Sequence, residues 1–221
     1  MLQIYVQHAE HFQNDYALLA KKIMLIKELL SGLAIVLTLV AYIPYILSIQ
    51  KGKSKPHVFS WVIWGLTTLL VSFAQFADGG GLGAWPITVS GMVAFYVAVL
   101  AYVKKADTSR TVIDWLFLSV ALISLPLWYL AQSPLIAVLI LTFVDTLGFG
   151  PTFRKSYSLP YSESLLFFVI MAVRNAIAIL ALENISITTV LFPAMTVFMC
   201  SLLILMVKAR RWQLNKSTLG D

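Results

Sequence analysis

The sequence predicts an all-α integral membrane protein with seven transmembrane helices. Hydrophobic residues make up 60% of the 221 residues and charged residues only 12%, whereas a soluble domain carries about 25% charged residues. The charges lie between apolar runs of about 20 residues, the length with which an α-helix crosses a bilayer. These runs do not alternate polar and apolar residues as the strands of a transmembrane β-barrel do. The pattern excludes a soluble enzyme, a disordered chain and a coiled coil.

Seven spans follow from the positions of the charges. The stretch 113–153 is too long for one helix, and the turn sequence AQSP at 131–134 divides it into two. The spans expected in chain order are 29–50, 56–77, 79–103, 113–130, 134–153, 164–182 and 186–207.

Lysine and arginine are distributed unequally between the two ends of these spans. Three lysines precede the first span, and twelve Lys or Arg residues lie in the connections at the other end and after the last span. Because cytoplasmic segments carry the excess of Lys and Arg, we expect a multi-pass protein of the cell (cytoplasmic) membrane with its N-terminus outside and its C-terminus in the cytoplasm. The net charge of +6 is then a topology signal, and no nucleic-acid partner is expected.

The two ends of the chain differ from the spans. Residues 1–28 form a polar N-terminal tail without the apolar segment of a signal peptide. We expect residues 1–23 either to be poorly ordered or to precede a working start at Met24, and a surface-lying helix is the alternative. Residues 208–221 form a basic cytoplasmic tail. This tail and the basic loop 51–55 either only set the topology or also bind the headgroups of membrane lipids.

Metal and cofactor chemistry has no support in the sequence. The single cysteine, Cys200, excludes a disulfide framework, and His8, His11 and His57 lack the spacing of a metal site. The spans contain no arrangement typical of a catalytic centre. We therefore expect no enzyme activity, no catalytic residue, no metal and no cofactor.

Three prolines recur in the two halves of the chain. Their spacings are 12 and 30 residues in the first half and 9 and 33 in the second. The matched pairs are Pro44 with Pro151, Pro56 with Pro160 and Pro86 with Pro193. Because three crossings reverse the side of the membrane, a second copy in the same orientation needs one added helix. The sequence thus predicts two parallel three-helix repeats, 29–103 and 134–207, joined by a linker helix at 111–130 in a 3+1+3 arrangement.

The segments that carry this repeat resemble the PQ-loop/SWEET superfamily of membrane proteins. They read YIPYI, GKSKP and FSWVIW in the first half and GPTFRKS and PYSES in the second. The resemblance covers about 29–207 and is strongest to a bacterial branch of small seven-helix proteins. The family's Pro-Gln pair is Pro44-Tyr45 and Pro151-Thr152 here. The resemblance implies parallel repeats and a carrier that works by alternating access.

The resemblance also implies a role for the paired prolines Pro44 and Pro151. Each removes a backbone donor near the cytoplasmic end of a span and loosens the helix there. They are therefore candidate hinges for the rocking of one repeat against the other. The alternative is a static kink, because proline is common in membrane helices as a packing feature.

The most informative polar residues within the spans are Asp145, Arg174 and Asn175, which are candidate ligand-binding residues. Asp145 and Arg174 lie roughly 12 Å and 16 Å from the basic ends of their helices, at about 1.5 Å per residue. We expect an ion pair between these two charges, because a lone charge inside a membrane is costly. The alternatives are a structural clasp between helices five and six and unpaired charges that snorkel. Counted from the matched prolines, Asp145 falls opposite Thr38 and Arg174 opposite Leu70.

Aromatic residues are further candidates for the wall of a ligand cavity. Tyr42, Trp64 and Tyr96 are the candidate ligand-binding residues of this kind, and the resemblance favours the first two. Tyr45 and Trp61 belong to the same set of aromatic residues. Trp61 shares a helix face with Trp64, but it lies near the membrane interface, where tryptophan is enriched as an anchor.

The function expected from the sequence is transport of a small polar metabolite of the sugar, amino acid or vitamin class. Membrane lipids and this small-molecule substrate are the expected partners. The alternative is a non-transporting seven-helix receptor, chaperone or scaffold, because a fold alone does not determine function. The substrate, the coupling ion and homo-oligomerisation stay open at this stage.

Overall fold

The structure, a computed structural model, is all-helical in the residues that it describes. These are 2–52, 58–104, 112–158, 160–161 and 165–217, without the side chains of residues 2–12, 113, 114, 117, 151, 154, 155, 216 and 217. The helices are α1 (Leu2–Gln50), α2 (Val58–Ala77), a 3₁₀ turn (Gly81–Ala84), α3 (Trp85–Val103), α4 (Val112–Ala131), α5 (Pro134–Ser158), α6 (Leu165–Ala181) and α7 (Ile187–Ser217). No strand occurs in these ranges, and the predicted all-α class is confirmed.

Several helices have the length and composition to cross a membrane. Four segments meet both criteria: Gln13–Gln50, Val58–Ala77, Gly81–Val103 and Ile187–Asn215. Three apolar segments are shorter: Leu118–Ala131, Pro134–Gly150 and Leu165–Ala181. Large apolar side chains such as Val99, Tyr129 and Leu205 are more than half exposed on the outer surface, which suits contact with lipid rather than with water. Membrane association is therefore supported, and seven crossings remain a prediction.

The helices form two groups that pack in the same way. α3 lies between α1 and α2, and α7 lies between α5 and α6. The groups meet where α1 packs against α6 and where α2 packs against α5. Exchanging α1 with α5, α2 with α6 and α3 with α7 converts every one of these contacts into another contact of the set. The main packing of the described residues thus repeats after four helices, and α4 packs chiefly on α5.

The N-terminal segment is part of α1, which runs without a break from Leu2 to Gln50. Its first 30 residues contain no glycine or proline and many strong helix formers. The described residues of the expected tail are thus helical, and a poorly ordered tail at 1–23 and a start at Met24 both stay predictions. Further along α1, Lys27 Nζ donates a hydrogen bond to Leu182 O (2.6 Å) and Ser31 Oγ donates one to Leu82 O (2.7 Å).

The loops 78–82 and 183–186 are hydrogen-bonded to each other at one end of the bundle, and we call these two segments the loop clasp. The Glu183 N–H donates to Gly80 O (3.2 Å), and the Leu82 N–H donates to Glu183 Oε1 (3.0 Å). Asn184 Nδ2 donates to Asp78 O (2.7 Å), and Ser186 Oγ donates to Asp78 Oδ2. The clasp joins the α2–α3 connection to the α6–α7 connection and so holds the two helix groups together at this end.

Candidate functional site

A cavity of about 830 Å³ lies between the two helix groups. Small-molecule sites commonly enclose about 300–1,000 Å³, so its size suits a metabolite. Both groups contribute to the walls, and its described lining residues include none from α4. It extends from Thr68, Ser90 and Asn175 in the middle of the bundle toward Ser48 and Thr152, near the ends of α1 and α5. The cavity therefore reaches toward the end of the bundle opposite the loop clasp, which we call the basic end.

Most of the site residues predicted from the sequence meet at this cavity. The six that line it are Tyr42, Pro44, Trp64, Asp145, Arg174 and Asn175. They belong to four different helices, α1, α2, α5 and α6. The candidate hinge Pro151 belongs to α5, but its side chain lies outside the described residues. The hinge role of Pro44 stays a prediction.

Tyr96 does not line the cavity. Its side chain is 49% exposed, and the lining residues of α3 are Ser90 and Ala94. Two residues beyond Ala94 correspond to about 200° around a helix with 3.6 residues per turn, so Tyr96 faces away from the cavity. The structure therefore does not bring Tyr96 to this cavity, and its role as a ligand-binding residue stays a prediction.

Arg174 is the most deeply buried charge at the cavity, with 2% of its surface exposed. Its Nε donates to Thr38 Oγ1 (2.9 Å), Nη1 to Asn175 Oδ1 (2.8 Å) and Nη2 to Pro86 O (2.5 Å). Thr38 can accept this bond because its own hydroxyl hydrogen goes to Ala34 O (2.8 Å) on the same helix. Arg174 thereby ties α6 to α1 and to the first turn of α3 through neutral acceptors.

The expected ion pair between Asp145 and Arg174 is wrong. In the described part of the chain, no salt bridge joins the two residues and no hydrogen bond reaches the Asp145 carboxylate. The reason is the helix order: α7 lies between α5 and α6, so these two helices are not the packed neighbours that the ion pair and the clasp required. α6 instead faces α1. When the two halves are aligned by the matched prolines Pro44 and Pro151, Thr38 of α1 corresponds to Asp145 of α5.

An aromatic wall forms one side of the cavity, and it consists of Tyr42, Tyr45, Trp61, Trp64 and Phe167. Trp61 is its centre: it stacks on Tyr45 with ring centroids 5.3 Å apart and meets the edges of Trp64 at 5.4 Å and Tyr42 at 6.1 Å. Tyr42 also contacts Phe167 of α6 at 6.1 Å. The wall therefore joins α1, α2 and α6, and it assigns Trp61 to the cavity rather than only to the membrane interface.

Gly148 brings this wall close to Asp145. A Cβ at Gly148 would lie 3.0 Å from Trp64 Nε1, so the absence of a side chain leaves room for the indole. Gly148 lies three residues after Asp145, and residues three apart share one helix face. The indole of Trp64 thus packs on the same face of α5 that carries the carboxylate.

Comparisons of the chain with protein-family models, with curated proteins and with solved structures find no match. Sequence reasoning missed the Pro86 carbonyl as a partner of Arg174, because a backbone acceptor has no signature in the sequence. It also missed Phe167, for which the sequence offered no signal, and Gly148, for which the three-residue spacing to Asp145 was the available signal.

Proposed function

We propose that the protein is a membrane transporter of the PQ-loop/SWEET type that moves a small molecule by alternating access. One observation carries the proposal: a cavity of metabolite size lies between two helix groups whose packing repeats after four helices. Two parallel three-helix units joined by a fourth helix would pack in this way, so the 3+1+3 arrangement with seven crossings is part of the proposal. Rocking of one unit against the other then acts on a site at their interface.

Alternating access needs a bundle that is closed at one end while its site communicates with the other. The hydrogen bonds of the loop clasp support closure at one end, and the cavity lining continues toward the basic end. With the basic end in the cytoplasm, as the distribution of Lys and Arg indicates, we infer a state whose site faces the cytoplasm. Transport requires the clasp to break when this state converts to the opposite one.

The decisive experiment measures uptake by the purified chain in liposomes, with a panel of sugars, amino acids, vitamins and amines. The matched variants are Gly148→Leu, which fills the cavity beside Trp64, and Gly150→Leu, where an added Cβ meets nothing within 4 Å. We expect uptake of at least one compound by the native chain and by Gly150→Leu, and its loss in Gly148→Leu. A compound that binds in the cavity but is never carried across the membrane would favour the receptor alternative.

Membrane orientation has its own test. In a Cys200→Ala background, single cysteines replace Lys51 at the basic end and Ile185 in the loop clasp, both of which are exposed. A membrane-impermeant thiol reagent applied to intact cells should label the Ile185→Cys variant and reach the Lys51→Cys variant only after lysis. Labelling of both positions in intact cells contradicts the proposed topology.

A further inference from the structure

The two charges at the cavity differ in how far the protein satisfies them. The Arg174 guanidinium is buried and donates to three acceptors. The Asp145 carboxylate is half-buried at the cavity wall, and within the described residues it has no hydrogen bond and no ion pair. A carboxylate inside a membrane protein is costly unless a partner compensates it. The unsatisfied charge that a ligand meets in this cavity is therefore negative.

The aromatic wall favours the same sign of ligand charge. The faces of tryptophan and tyrosine rings are electron-rich, and they attract a cation that lies within about 6 Å of the ring centre. Trp64 packs against Gly148, one helical turn from Asp145, so the nearest aromatic surface and the carboxylate border the same part of the cavity. An anion at this place would be repelled by the carboxylate.

We infer that the cavity binds a small organic cation, that is, an amine or quaternary ammonium group on an apolar body. Asp145 supplies the counter-charge, and the aromatic wall beside it supplies the surface for the apolar body. The inference names the substrate class of the proposed transporter and rests on the proposed function only for the transport step, because binding can be measured without it. A neutral sugar or a carboxylic acid in the same cavity is the competing outcome.

The test uses probes that differ in charge but share a shape. One series is 2-phenylethylamine, 2-phenylethanol and phenylacetate; the second is choline and its neutral analogue 3,3-dimethylbutan-1-ol. Dissociation constants are measured by calorimetry on the purified protein, with the rise in melting temperature as a second readout. We expect each cation to bind at least tenfold more tightly than its neutral analogue, and phenylacetate to bind more weakly than 2-phenylethanol.

Variants of two carboxylate residues test whether Asp145 causes the preference for cations. Asp145→Asn should reduce the affinity for the cations at least tenfold and leave the affinity for the neutral analogues unchanged, whereas Glu28→Gln, at an exposed position of α1, should change neither. If Asp145→Asn does not fold, the affinities of the native protein for the cationic, neutral and anionic probes still test the inference. No binding of either cation at millimolar concentration, or tighter binding of the neutral or anionic probes, overturns the inference.

The same probes separate this inference from the proposed function. Cations that bind in an Asp145-dependent way but do not enter liposomes would overturn transport and leave the ligand class standing. Uptake of a sugar or another neutral compound without any binding of the cations would overturn the ligand class and leave transport standing. Uptake of a cation that is lost in Asp145→Asn and retained in Glu28→Gln supports both.

Discussion

The two helix groups share a packing order but differ in the polar residues at their contacts. Where α1 packs against α6, the guanidinium of Arg174 reaches Thr38. The corresponding contact in the other direction is the one between α5 and α2. When the halves are aligned by their matched prolines, Asp145 takes the place of Thr38 there, and Leu70 takes the place of Arg174. Leucine offers no donor, and the carboxylate stays unpaired among the described residues. One contact is therefore closed by a polar bond, and the other leaves a charge at the cavity.

The groups also differ in how their inner helices approach. A Cβ at Gly65 would lie 2.8 Å from the Phe95 ring, and one at Gly91 would lie 2.8 Å from the Leu69 side chain, so α2 and α3 interlock through glycines. α6 and α7 contain no glycine. Small residues let membrane helices pack closely and gain van der Waals contact. The same helix order is therefore reached by different side-chain packing in the two groups. The polar residues at the cavity are not needed to produce that order.

The largest effect on this comparison is expected from Arg174→Leu, which removes the hydrogen bonds from α6 to Thr38 of α1 and to the Pro86 carbonyl of α3. The Pro86 carbonyl and the Asn175 amide oxygen lose their donor, and each unpaired buried group costs about 1–3 kcal/mol. We expect a loss of about 3 kcal/mol in the free energy of unfolding, measured by denaturant titration in detergent. Arg174→Lys, which keeps the charge but not the planar fork, should lose less. A stability equal to that of the native chain would contradict the role assigned to these bonds.

Alanine at the glycines of α2 and α3 should have the next largest effect. Gly65→Ala and Gly91→Ala each place a methyl group against a packed side chain, and such overpacking costs about 1–3 kcal/mol. Gly32→Ala is the matched control, because a Cβ there meets nothing within 4 Å; it should be neutral or stabilising. Thermal unfolding followed by circular dichroism provides the measurement. Equal melting temperatures for all three variants would show that the close approach of α2 and α3 is not required.

A smaller effect is expected when only the Thr38 acceptor of the Arg174 hydrogen bond is removed. Thr38→Val deletes the acceptor of Arg174 Nε, and hydrogen bonds to charged groups contribute about 1.5–3 kcal/mol, so we expect a loss near the lower value. Thr38→Ser should keep the bond. Thr88→Val removes a threonine whose hydroxyl bonds Ala84 O, four residues earlier in the chain, and it should cost less than Thr38→Val in the same unfolding assay.

The smallest effect is the coupling between Asp145 and Arg174. Because no salt bridge joins them, the stability changes of Asp145→Asn and Arg174→Gln should add in the double variant within about 0.5 kcal/mol. A double-mutant cycle on unfolding free energies measures this coupling. Recovery of stability in the double variant would falsify the separation of the two charges.

The helical class and the main breaks of the chain were predictable because they depend on local composition. Charges and turn residues determine where apolar runs end, so α2 was expected at 56–77 and is found at Val58–Ala77, and α5 begins at Pro134 as the AQSP turn indicates. The distances of Asp145 and Arg174 from the basic ends of their helices follow from the helical rise. Because these distances are similar, both residues lie at the height of the same cavity. Five of the six candidate ligand residues meet there for this reason.

Which residues contact each other was decided only by the tertiary structure. The predicted ion pair requires α5 and α6 to be neighbours, but α7 separates them, and Arg174 reaches Thr38 and the Pro86 carbonyl instead. Tyr96 had the right composition and depth and the wrong helix face. Apolar surfaces pack on many partners with similar free energy, because the hydrophobic effect is not directional. The order and rotation of the helices therefore depend on the sum of all contacts in the bundle, which no single segment of the sequence contains.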